Sequence, residues 1–143
     1  MKDTNKVYAV VDTNVIVSAL INSNQQSNPN LVVHAINIGA LIPLYNDDIE
    51  SEYERVLRYP KFKMTDNQIN TFISVLKKFG VRTDPTKVSD EIFPDPNDIV
   101  FYEVKMSVDD SYLVTGNLKH FPAKPFVVTP AEMVSILKNK NLI

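Results

Sequence analysis

Apolar positions along the chain fall into short runs and helical stripes that alternate. Val7 to Val11 is a continuous apolar run, rich in Val and Tyr and too short for a helix, which predicts a buried strand. It stops at Asp12. Thr13 and Asn14 follow, and the longer apolar stretch Val15 to Ile21, which holds Ser18 and Ala19, predicts a helix. Asp12 is thereby placed at the carboxyl end of a strand where the chain turns into a helix. In parallel α/β sheets that edge receives ligands. A half-buried carboxylate there must be paired, hydrogen-bonded or metal-bound. The alternative is a turn or helix-cap aspartate, and position alone does not separate the two.

The polar residues 22–30 read as a loop. Asn28 and Pro29 fit the N-cap and first position of a helix reaching about Ile38, with Gly39 as its stop. Ala40 to Tyr45 predicts a second strand, with Pro43 an unusual member. Between about Ile49 and Tyr59 the positions Ile49, Tyr53, Val56 and Leu57 make one buried helical face. Glu50 and Glu52 flank that face at opposite edges, where a solvated boundary residue is the alternative to a functional one. Pro60 ends the helix. Thr65 to Gln68 has the form of a capping box, and Ile69, Phe72, Ile73, Leu76 and Phe79 then repeat at helical spacing up to Gly80. Val81 to Thr83 and Ile92 to Phe93 read as short extended pieces. Asp95, Pro96 and Asp98 fit the N-cap, first and third positions of a helix to about Val108. Tyr112 to Thr115 and Phe126 to Val128 predict strands. Thr129 to Glu132 is a second capping box, opening a last helix that uses Met133, Val134, Ile136 and Leu137. Strands alternating with helices call for a parallel sheet covered on both faces.

Composition narrows the classes. A chain of 143 residues with 44% hydrophobic content is expected to form a single domain, 1–143, with a real core. A net charge of −2 supplies no global attraction to nucleic acid or membrane, so any such contact needs a local basic patch. Arg55, Arg58, Lys61 and Lys63, with Tyr59 and Phe62 among them, offer one, since cations bind phosphates and aromatic rings stack on bases. The alternative is a solvated helix end. The chain has no Cys, which excludes disulfides and thiolate chemistry and is compatible with a reducing cytosol. No signal-type apolar core and no membrane-length stretch is present, so a cytoplasmic protein is expected.

These residues carry a family resemblance. VVDTNVIVSAL at 10–20, SEYERVLRYPKF at 51–62, DPNDIVFYEV at 95–104, YLVTGNLKHF at 112–121 and VVTPAEMV at 127–134 together resemble PIN-domain proteins. Within them the chain is similar to the small bacterial proteins described as toxins of toxin–antitoxin pairs. The resemblance implies a three-layer α/β/α sandwich with a central parallel sheet. It also implies carboxylates at the sheet's carboxyl edge that bind Mg²⁺ or Mn²⁺ and cut single-stranded RNA, with an antitoxin protein and further copies of the chain as partners. Carried over by position, the acidic residues are Asp12, Glu52 and Asp98, with Asp95 accessory. Thr13, Asn14 and Thr115 are placed to orient carboxylates or water.

Two positions depart from the family pattern. Asn117 stands where the pattern has Asp; its amide oxygen can still ligate a hard cation but brings no charge. Lys105 stands where the family has a small residue, two turns from Asp98 on the same side of the helix, and is expected to offset charge at the metal site. Crowded carboxylates repel unless a cation neutralises them, hard oxygen donors select Mg²⁺ or Mn²⁺, and the bound metal activates a water. His120, beside Phe121, reads more readily as structural than as an acid or base. The rival reading is a weakened or inactive PIN-like domain serving as an RNA- or protein-binding module. A phosphotransferase with an Asp nucleophile is disfavoured, because Asn14 stands where a second Asp would be needed.

Overall fold

The structure, a computed structural model, describes residues 5–143. Five strands, β1 (Val7–Val11), β2 (Leu41–Tyr45), β3 (Val81–Arg82), β4 (Ser111–Val114) and β5 (Val127–Val128), form one sheet in the order β3-β2-β1-β4-β5. Every pairing is parallel. Six α-helices cover it among the described residues: α1 (Thr13–Ile21), α2 (Asn28–Asn37), α3 (Asp47–Leu57), α4 (Asp66–Phe79), α5 (Ile99–Met106) and α6 (Pro130–Asn139). The result is the three-layer α/β/α sandwich expected from the alternation of elements.

β1 is the central strand because its side chains suit burial on both faces: Ala9, Val10 and Val11 have no exposed surface. Pro43 is tolerated in β2 because β3 pairs only with Leu44 and Tyr45, so Pro43 lies where β2 has one neighbour, β1. Both capping boxes form as expected, at Thr65 and at Thr129. Gly80 closes α4 for a steric reason and not a conformational one. Its φ is ordinary, but a Cβ there would stand 2.4 Å from the Leu76 carbonyl oxygen and 3.0 Å from that of Pro43.

Several boundaries move. Ser27, not Asn28, caps α2. Asn46 caps α3 through its side-chain oxygen, so that helix starts at Asp47. Asp95 to Asp98 opens with a 3-10 turn (Pro96–Asp98), and α5 begins only at Ile99. Ile92–Phe93 joins no strand of the sheet. Instead Phe93 pins its loop, edge-on to Tyr102 at 5.3 Å and to Phe121 at 6.2 Å. Among the described residues no helix is long and apolar enough to cross a membrane.

Candidate functional site

The chain leaves β1 towards β2 on one side and comes back to β4 on the other, so the carboxyl ends of β1 and β4 flank the point where strand order reverses. In open α/β sheets that point forms a crevice. Asp12 sits there, 4% exposed, its amide donating to the Val114 carbonyl at 2.8 Å. It occupies the N-cap position of α1 but makes no side-chain cap bond, so capping does not account for this carboxylate. Its Oδ2 accepts a hydrogen bond from Thr115 Oγ1 at 2.8 Å, across the crevice.

The next two side chains reach other segments. Thr13 Oγ1 donates to Glu52 Oε2 on α3, and Asn14 Oδ1 accepts from the Gly116 amide at 3.1 Å. Three consecutive residues thus tie β1 to the end of β4, to α3 and to the loop after β4. Glu52 is presented because Ile49, Tyr53 and Leu57 bury the α3 face beside it. Tyr53 fixes that face by donating its hydroxyl to the Val11 carbonyl at 2.5 Å. Glu50 turns away to Lys77, at 3.4 Å, which separates the two glutamates that look alike in sequence.

Asp95 and Asp98 also divide their roles. Asp95 Oδ1 accepts from the Asn97 amide at 3.0 Å and caps the turn. Asp98 makes no cap bond and is 7% exposed, with its Oδ2 buried and without a hydrogen-bond partner. His120 Nδ1 lies 3.5 Å from that oxygen, an ion-pair distance when the ring is charged but not a hydrogen bond. Burial pushes the Asp98 carboxyl up to about 7, the charges of Asp12, Asp95 and Glu52 add to the rise, and His120 opposes it. Burial likewise raises Asp12; Thr115 and the Thr13 amide pull it down, as does His120, and Glu52 pushes it up. The buried Tyr53 hydroxyl is raised by desolvation and then by the charges of Asp12 and Glu52. Asp12, Glu52 and Asp98, from three distant segments, therefore share one electrostatic field.

Tyr53 and His120 are the contributors that sequence reasoning did not bring to the site. Tyr53 reads as a core residue of an amphipathic helix, which it is as well. His120 reads as structural because nothing local connects it to Asp98.

The remaining sequence candidates divide. Asn117 lies near the site, since its amide donates to Thr115 Oγ1 at 3.0 Å. Its side-chain oxygen accepts from the Lys119 amide at 3.2 Å and caps the turn Leu118–His120. The Lys105 ammonium stands over the Phe126 ring at 4.2 Å. Seven residues of helix carry it about 10 Å along the axis, away from the carboxyl edge, so sharing a helical face with Asp98 does not bring it near.

In the basic stretch, Arg55 lies 3.8 Å from Glu52 and donates to the Tyr59 hydroxyl at 2.6 Å. Arg58 is held between Asp66 at 2.8 Å and Glu54 at 3.5 Å. Tyr59 and Phe62 stack at 6.2 Å, and the Lys61 ammonium covers Phe62 at 5.2 Å. Lys63 is exposed at the end of that turn.

Among the described residues no group of three or more His, Cys, Asp or Glu side chains is disposed as a ready-made metal site. The donor chemistry nonetheless fits a hard cation. All three acids offer carboxylate oxygen, and Asp98 carries a buried oxygen with no hydrogen bond, a group that is expensive to bury without a partner.

A family model described as PIN domain matches residues 8–119. That span runs from β1 through the turn that carries Asn117, and so contains Asp12, Glu52, Asp98 and Thr115. No curated protein matches the chain.

Proposed function

The chain belongs to the PIN domain family, and from that premise we propose that it is a metal-dependent endoribonuclease that cuts single-stranded RNA. The observation that carries the reading is the buried oxygen of Asp98 that no hydrogen bond satisfies, in the same field as Asp12 and Glu52 at the strand-order switch. Asp12, Glu52 and Asp98 would hold Mg²⁺ or Mn²⁺, with the amide oxygen of Asn117 as a further donor once released from its turn. Such an ion supplies a water acidified to a nucleophile at neutral pH and offsets the charge of the phosphate.

The chain's own residues prepare that chemistry. Thr115 and Thr13 fix the carboxylates of Asp12 and Glu52, which orients donors as outer-shell groups do. Asn14 holds the loop after β4 against α1. Asp95 adds negative charge beside Asp98. Arg55, next to Glu52, with Lys61, Lys63 and the stacked Tyr59–Phe62 pair, forms a strip for RNA backbone and bases. Arg58 is the weakest member of the strip, since two carboxylates already engage it. The same reading makes the protein the toxin of a toxin–antitoxin pair, acting on cytoplasmic RNA, with an antitoxin and further copies of itself as partners. Its support is the resemblance to the small bacterial branch.

Purified protein should cut unstructured RNA in Mn²⁺ or Mg²⁺ and stop when EDTA is added. Asp12→Asn should lower cutting by more than about 100-fold, beyond the loss typical of an outer-shell change, while the protein stays folded. Cutting that persists in Asp12→Asn protein would refute the assignment. A second reading, an RNA-binding module without catalysis, draws on the neutral Asn117, whose amide oxygen is occupied by the turn it caps. RNA retention without cleavage in the same assay would favour it.

A further inference from the structure

We propose that His120 is a nitrogen ligand of the cation at the carboxylate edge, and that it gives the site a preference for Mn²⁺ over Mg²⁺. This deepens the metal-dependent reading and rests on it. His120 Nδ1 lies 3.5 Å from Asp98 Oδ2, the buried oxygen that no hydrogen bond satisfies. The ring acts electrostatically on Asp12 as well as on Asp98, so the imidazole belongs to the same small space as both carboxylates.

The spacing suits two donors on one ion. Metal–donor distances of about 2.0–2.2 Å put adjacent donors roughly 3.0–3.3 Å apart in octahedral or tetrahedral coordination. The observed 3.5 Å is close to that, and a small movement of the ring closes the gap. The backbone that carries the ring is held from both sides. The His120 amide donates to the Asn117 carbonyl at 3.1 Å, and Phe121, the next residue, is buried edge-on to Phe93. Asn117 Oδ1 accepts from the Lys119 amide, so this turn uses the Asn117 oxygen on its own backbone and offers the imidazole nitrogen instead. Imidazole suits first-row transition ions, whereas Mg²⁺ favours oxygen donors and keeps its waters. Asp12, Glu52 and Asp98 alone would serve either ion; the nitrogen separates them. An ion pair with Asp98 is the competing account of the contact, and it predicts the opposite sign. A charged ring competes with the cation for Asp98, so its loss would leave metal binding unchanged or tighter.

The test is metal binding by the full chain at pH 8, without RNA, in native, His120→Ala and His34→Ala protein. In calorimetry Mn²⁺ should bind His120→Ala about tenfold or more weakly than native protein. Mg²⁺, measured by competition against Mn²⁺, should weaken by about threefold or less. Pulsed EPR of the bound Mn²⁺ should show coupling to a directly ligated nitrogen in native and His34→Ala protein and none in His120→Ala. His34, the other of the two histidines, is exposed on α2 and controls for stray binding. The His120 side chain is 42% exposed, so its loss leaves the core intact, which thermal melting in EDTA checks; the nitrogen coupling is read on native protein in any case. Mn²⁺ bound to the native chain without nitrogen coupling, or with unchanged or tighter affinity in His120→Ala, would overturn this assignment alone and leave the carboxylate site standing. Native protein that takes up no Mn²⁺ would overturn it together with the metal-dependent reading.

Discussion

Replacing Asp98 with Asn should stabilise the protein in EDTA, and increasingly so as pH rises. The carboxyl is held at about 7 in the fold, against an ordinary value of 3.8. Between those values the unfolded chain is ionised while the folded protein keeps the proton. The folded state binds more protons, so stability falls as pH rises through this window and stays low above about 7. An asparagine does not titrate and escapes this loss. A tenfold difference in proton affinity between the folded and unfolded chain is worth about 1.4 kcal/mol. The loss at Asp98 then amounts to about 1 kcal/mol near pH 4.5 and about 4 kcal/mol near pH 8. The advantage of Asp98→Asn should therefore widen by about 3 kcal/mol across that range, or about 6–12 °C in melting temperature for a chain of this size. Any fixed penalty for seating the amide cancels in the comparison. The assay is thermal or urea unfolding of both proteins at the two pH values in EDTA. Mn²⁺ should then stabilise the native protein more than the variant, because the ion binds the fold through the carboxylate that the variant lacks. Stability curves that run parallel with pH would refute the claim that Asp98 is an ionisable group buried against its charge.

Three further outcomes follow from the geometry. Tyr53→Phe leaves the Val11 carbonyl without the bond it accepts and should reduce stability by about 1–2 kcal/mol in urea unfolding, with cleavage falling as well because Glu52 is the adjacent residue. Asn117→Asp keeps an oxygen to cap the turn before Phe121 and adds a carboxylate, so Mn²⁺ affinity should rise while stability in EDTA falls; equal affinity by calorimetry would remove position 117 from the site. Neutralising Lys61 and Lys63 should flatten the salt dependence of RNA binding by about one to two units of slope, whereas Arg58→Ala, already paired with Asp66 and Glu54, should change it little.

Where local chemistry decides, the sequence is explicit. The apolar run from Val7 stops at a carboxylate, and β1 ends there with Asp12 at the switch point. The capping boxes at Thr65 and Thr129 satisfy orphan amides with residues three apart, and both form. What was not legible depends on partners far along the chain. Glu50 and Glu52 flank one helical face equally, and only the contacts to Lys77 and Thr13 distinguish them. Asp95 and Asp98 both suit the start of a helix, yet the turn at Pro96 gives the cap to Asp95 and leaves Asp98 buried without a bond. Lys105 shares a helical face with Asp98, but a wheel has no length, and Phe126 takes its ammonium at the far end. His120 meets Asp98 across a separation that periodicity cannot register. Ile92 and Phe93 have the side chains of a strand, while Phe93 spends its apolar surface on Tyr102 and Phe121.

The central claim is that Asp12, Glu52 and Asp98 form one cation site. Calorimetric titration of Mn²⁺ into native, Asp12→Asn and Asp98→Asn protein at neutral pH tests it most directly. The account predicts saturable binding to the native chain that weakens by at least about tenfold in each variant, with both variants folded. Native protein that takes up no Mn²⁺, or takes it up with the same affinity in all three, would contradict it.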